Sequence, residues 1–78
     1  MKRQSNVDRV AEVCDWIRTG RARELRERSG LTQSAIAGDC GVTNAAVTRW
    51  ERNERRPSTR NALAYHRVLS RLAAREAA

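Results

Sequence analysis

Residues 33–52 read QSAIAGDCGVTNAAVTRWER, and the placing of small and apolar residues within them decides the fold. Thr32 stands ready to cap a short helix over about 33–39, with Ile36 on its apolar side. Gly41 follows, and a residue without Cβ can take the positive φ that a tight turn demands. Thr43 can then cap a second short helix that reaches Arg52. Ala37 is small where two crossing helices must approach closely. Val47 and Trp50, three apart, share one helical face and turn inward, where with Ile36 and Val42 they lock the pair onto a core. Asn44, Ala45, Thr48, Arg49 and Arg52 are left on the outward face. Gly38 runs against this pattern, since glycine inside a helix costs about 1 kcal/mol relative to alanine.

Outward from this pair the chain stays helical. Asn53 tolerates the left-handed conformation that ends a helix, and Pro57 cannot continue one. Ser58 or Thr59 caps a last helix running towards Arg75, with Ala62, Tyr65, Leu69 and Leu72 on one face and Arg60, Arg67 and Arg71 opposite. Upstream, Gly30 closes a helix over 21–29 that buries Ala22 and Leu25 and exposes four arginines and two glutamates. Before Gly20, Val7, Val10, Ala11, Cys14 and Ile17 mark one face of a helix over 6–18, capped by Ser5 or Asn6. Trp16 points off that face, so either the helix ends early or Trp16 packs elsewhere. With no β pattern and no repeat, the class is all-α with about five helices in a single domain covering 1–78.

Composition narrows the chemistry. Across 78 residues, 16 basic side chains face 9 acidic ones for a net charge of +7, which suits a polyanionic partner. Arginine makes up 15 of the 16. No apolar run approaches the ~18 residues of a membrane span, and Met1-Lys2-Arg3 leads into polar Gln4-Ser5-Asn6 rather than a signal core, so a soluble, cytoplasmic protein is expected. Cys14 and Cys40 lie far apart and read as buried free thiols. The single histidine, His66, has no ligand partners at recognisable spacing, so neither metal nor cofactor is expected. Tyr65 and His66 read as packing residues, Arg67 and Arg71 as solvated. An enzyme is not expected, because no nucleophile with a base and no paired carboxylates stand out.

Two short helices about a glycine form the pattern of a helix-turn-helix. Gly30-Leu31-Thr32-Gln33, Ala37, Gly41-Val42-Thr43 and Trp50-Glu51-Arg52 leading to Pro57-Ser58 resemble the phage-repressor and Cro family, the XRE-type helix-turn-helix, over roughly residues 21–70. Asn53 departs from it, standing where the family usually has glycine, and the helix over 6–18 lies outside the family's minimal pattern. The resemblance implies a lambda-repressor-like bundle that binds double-stranded DNA and regulates transcription, most simply by occupying an operator. It also implies that the second motif helix reads base edges. Groove chemistry then assigns Asn44 to adenine, Arg49 to guanine, and Ala45 or the Thr48 methyl to thymine. Gln33, beside the free amides of a helix N-terminus, resembles the family's phosphate-binding glutamine. Thr43, Arg52, Arg55 and Arg56 flank the reading face as phosphate contacts; residues 49, 52, 55, 56 and 60 against Glu51 and Glu54 leave three positive charges in excess there. Glu51 is expected to pair with Arg26, as the family's matching glutamate does. Family members commonly bind palindromic sites as two-fold dimers, which implies a homodimer on DNA, formed through Leu69 and Leu72 or through the N-terminal helix with Trp16. An antitoxin, a recombination directionality factor and a protein–protein adaptor are the competing functions.

Overall fold

A computed structural model describes residues 4–78. Five helices follow one another: α1 (Asn6–Thr19), α2 (Arg21–Arg28), α3 (Gln33–Cys40), α4 (Asn44–Glu51) and α5 (Thr59–Ala77). Each start except that of α2 is set by a hydroxyl. The oxygens of Ser5, Thr32, Thr43 and Ser58 accept from the backbone N–H of Asp8, Ala35, Ala46 and Asn61 at 3.1–3.2 Å. Such caps satisfy amides that the first helical turn leaves without partners. Ser5 adds the reciprocal half of a capping box, its own N–H donating to the Asp8 carboxylate. The α1–α2 junction turns on Gly20 alone, at φ 83°.

The two turns around α4 carry the geometry that matters most. Gly41 takes φ 71°, and the Val42 N–H reaches back to the Ala37 carbonyl at 3.0 Å, closing α3 so that α4 can cross it. Asn53 does the same after α4 at φ 56°, with the Glu54 N–H donating to the Arg49 carbonyl at 2.9 Å. Among the described residues Asn53 is the one non-glycine at positive φ, so asparagine performs the role expected of it.

α5 is the central post, packed against α1, α2 and α3, while α3 and α4 pack on each other. Val13, Ile17, Leu25, Ile36, Val47, Trp50, Tyr65 and Leu69 form the core, joined by Ala22, Ala37 and Ala62 where helices come close. The Trp50 ring meets Tyr65 at 5.0 Å, fastening α4 to α5. Trp16 packs elsewhere: α1 continues past it, and its ring stacks on His66 of α5 at 5.5 Å with the planes 9° apart. His66 is buried, with Nε2 2.7 Å from a Glu12 carboxylate oxygen, so polar and aromatic contacts together hold α1 to α5.

Several expectations need correction. Of the expected α1 face Ile17 is buried and Val10 and Cys14 are half-buried, but Val7 is 78% exposed and Ala11 is exposed too, and the most deeply buried residue of the helix is Val13, which that face omits. Cys14 and Cys40 are free but only half-buried, and burial pushes the Cys40 thiol up from its ordinary range. Arg71 is exposed yet not simply solvated, for it pairs with Asp39 of α3 at 2.6 Å. Leu69 and Leu72 are spent inside the core, at 0% and 9% exposure, so they offer no surface to a second chain. No helix of the described residues is long and apolar enough to cross a membrane. The Met1–Arg3 segment that enters the reading of the N-terminus lies outside the described residues.

Candidate nucleic-acid interface

The capped, glycine-turned α3–α4 pair presents one face of α4 to solvent. With Val47 and Trp50 buried, Asn44, Ala45 and Arg49 are exposed beside one another, and Thr48 is half-buried at the margin towards α3. Thr43 is exposed, but its hydroxyl oxygen is already the cap of α4. The chain leaving α4 then brings Arg55 and Arg56 beside Arg49, where the three line one cleft with Thr43 and Asn61. None of these three arginines forms an ion pair among the described residues, whereas Arg52 lies 3.9 Å from Glu54 in a pair that is more than half exposed on both sides. Asn61, at the foot of α5, is missing from the sequence-based set; its closeness to Arg49 depends on the angle at which α5 leaves Pro57, and no local pattern encodes that.

Behind this face runs a chain of polar contacts. Arg26 of α2 grips Glu51 with a two-pronged fork, Nε to Oε2 at 2.5 Å and Nη2 to Oε1 at 2.9 Å, while its Nη1 donates to the Leu31 carbonyl at 2.9 Å. The two side chains are 13% and 2% exposed, so the expected pair is present and largely out of water. Hydrogen bonds to Glu51, outweighing burial, hold the Arg26 guanidinium above its ordinary pKa. Glu51 Oε1 also accepts from Gln33 Nε2 at 2.9 Å, and Gln33 Oε1 accepts from the Thr48 hydroxyl at 2.6 Å. Gln33 thus stands at the N-terminus of α3 with its amide already anchored, one of its two N–H groups engaged and the other open. Sequence reasoning places Gln33 and Thr48 on the same surface; it does not reveal that they are bonded to each other.

An exposed Asn–Ala–Arg face on a short helix, held across a tight turn and flanked by arginines without ion pairs among the described residues, defines a helix-turn-helix protein. Residues 23–71 match the helix-turn-helix family HTH_3, and the chain belongs to that family. It is 37% identical over 49 residues to repressor protein C2 of Salmonella phage P22, covering 63% of this chain and 23% of that protein, so it spans less than a quarter of the relative's length. No solved structure matches it. α1, with Glu12 and Trp16, falls outside the matched segment, whereas His66, to which both attach, lies within it.

Proposed function

We propose that the chain is a sequence-specific double-stranded DNA-binding repressor, Cro-like in acting by occupancy of its operator, with α4 laid in the major groove. The observation that carries this reading is the outward face of α4, where Asn44, Ala45 and Arg49 stand exposed together beside the unpaired Arg55 and Arg56. Asn44 has the donor and acceptor to pair with adenine, Arg49 the fork for guanine, and Ala45 with the Thr48 methyl the apolar surface for a thymine methyl. Thr43, Arg52, Arg55 and Arg56 flank that face as phosphate contacts. Gln33 joins them through its open N–H, where the dipole of α3 favours an anion. Repression is supported by the printed name of the P22 relative. One short α4 reads only a few base pairs, so the chain works as a homodimer on a palindromic operator, inside a bacterial cell or its phage-infected equivalent.

Selection of bound fragments from random duplex DNA tests the reading. It should enrich one palindromic sequence, and affinity for that sequence should fall linearly on a log–log plot against salt. A chain that enriches nothing, or whose binding ignores salt, is not this regulator.

A further inference from the structure

The contact chain behind α4 has a direction, and that direction reaches the surface. Arg26 can only donate, and the Glu51 carboxylate can only accept. Because Glu51 Oε1 lies 2.9 Å from the Gln33 amide, the group facing it must be the NH2 of Gln33 rather than its oxygen. The Gln33 oxygen is thereby turned to Thr48 Oγ1 at 2.6 Å, and two oxygens at that distance need a hydrogen between them, which Thr48 alone can supply. A hydroxyl has one hydrogen. The competing acceptor, the Asn44 carbonyl one helical turn back, is farther away at 3.1 Å. Each polarity in the series follows from the one before it, starting with the buried ion pair.

We propose that Thr48 is a positioning residue whose hydroxyl hydrogen is committed inward to Gln33, so that Glu51, through Gln33, dictates what this part of the surface offers to DNA. Two consequences follow, and both rest on the reading of α4 as a DNA-binding helix. Gln33 is held with one N–H outward, prepared to donate to a phosphate oxygen without first being ordered. Thr48 presents only oxygen lone pairs outward. It therefore cannot donate to a phosphate or to a base acceptor, and its hydroxyl tolerates only an amino-bearing base edge, adenine N6 or cytosine N4. Its methyl remains free for an apolar contact.

Thr48→Val keeps the shape and the methyl but removes the hydroxyl, whereas Thr48→Ser keeps the hydroxyl and removes the methyl. In the free protein, NMR of the Gln33 side-chain amide should show a more restrained group in wild type and in Thr48→Ser than in Thr48→Val, where the bond to Glu51 alone still holds it. On DNA, Thr48→Val should lose about three- to tenfold in affinity for operator and scrambled duplex by the same factor, the size of one ordinary hydrogen bond. Its salt slope should stay that of wild type, because a neutral amide releases no counterion. Thr48→Ser should instead lose more on operator than on scrambled duplex. The inference is overturned if Thr48→Val leaves the Gln33 amide as restrained as in wild type, or loosens it without any change in DNA affinity. It is equally overturned if Thr48→Val loses operator preference alone, since the hydroxyl would then be a direct reader. Those results would leave the DNA reading standing, whereas a wild-type chain that binds neither duplex takes down both.

Discussion

Glu51→Ala perturbs the fold at the point where three helices are tied. Glu51 accepts from Arg26 twice and from Gln33 once, and at 2% side-chain exposure it has almost no access to water. Its removal leaves the Arg26 guanidinium 13% exposed with the Leu31 carbonyl as its remaining partner, and strips one Gln33 N–H of its acceptor. A buried charge deprived of its counter-ion costs about 3–5 kcal/mol, much of the ~5–15 kcal/mol that stabilises a small domain. At roughly 4–8 °C per kcal/mol for a domain of this size, the melting temperature should fall by at least ~12 °C. Circular dichroism of Glu51→Ala, Arg26→Ala and the double variant would show it. The double variant should be less destabilised than the two single effects added together, because no stranded charge remains. Asp15→Ala is an internal control: its partner is Arg18 at 3.3 Å with both side chains about two-thirds exposed, so its loss should cost no more than ~1 kcal/mol. If Glu51→Ala costs as little as Asp15→Ala, the fork is solvated and the argument from burial fails.

Arg49→Ala should cost about 1–3 kcal/mol on the operator and much less on unrelated duplex, whereas Arg56→Ala should weaken all duplexes alike and flatten the salt slope by ~0.9. Titration at several salt concentrations separates them, and a sequence-neutral Arg49→Ala would show that the reading face is misassigned. Light scattering of the operator complex should give two chains per site; one chain would contradict the dimer. Tyr65 is buried, and its hydroxyl has no hydrogen-bond partner among the described residues, so Tyr65→Phe should leave stability at pH 7 unchanged or slightly raised. Burial pushes that hydroxyl well above its ordinary 10.0, so unfolded chains ionise first. Wild-type stability, undiminished below pH 10, should therefore decline above it by up to ~1.4 kcal/mol per pH unit, and urea titrations of Tyr65→Phe should lack that share of the decline.

How much of the fold could be read from the sequence depended on whether local rules were free to act. α3 and α4 were legible because caps, glycine and apolar spacing all pointed the same way: Thr32 and Thr43 start them, Gly41 turns, and Val47 and Trp50 face in. α1 was legible as a helix but not as an oriented one. It carries two apolar stripes that meet at Ile17, and Val7, Val10, Ala11, Cys14 and Ile17 make as regular a series as the stripe through Val13 and Ile17. What decides between them is tertiary. α1 packs on both α2 and α5, and Trp16 must reach His66, which rolls the helix until Val13 is fully buried and Val7 is left outside. Trp16 lies off the series from Val7 but beside Val13, one turn back along the helix.

The interface divides along a similar line. Asn44, Ala45 and Arg49 could be placed outward from helical period alone, because once Val47 and Trp50 are inside, no other arrangement of eight residues is available. The Arg26–Glu51 pair came from family resemblance, since 25 residues separate the partners and nothing local joins them. The Gln33–Thr48 bond was out of reach by either route. Each residue taken alone fits a surface contact, and their meeting depends on the angle between α3 and α4, which Gly41 and Val42 fix at the turn. That angle makes the interface more than a row of exposed side chains. It brings the N-terminus of one helix against the flank of the next, so that a buried ion pair can orient an amide and a hydroxyl at the surface. A Gly41 substitution that opened the turn would break this relay even with every reading residue still in place.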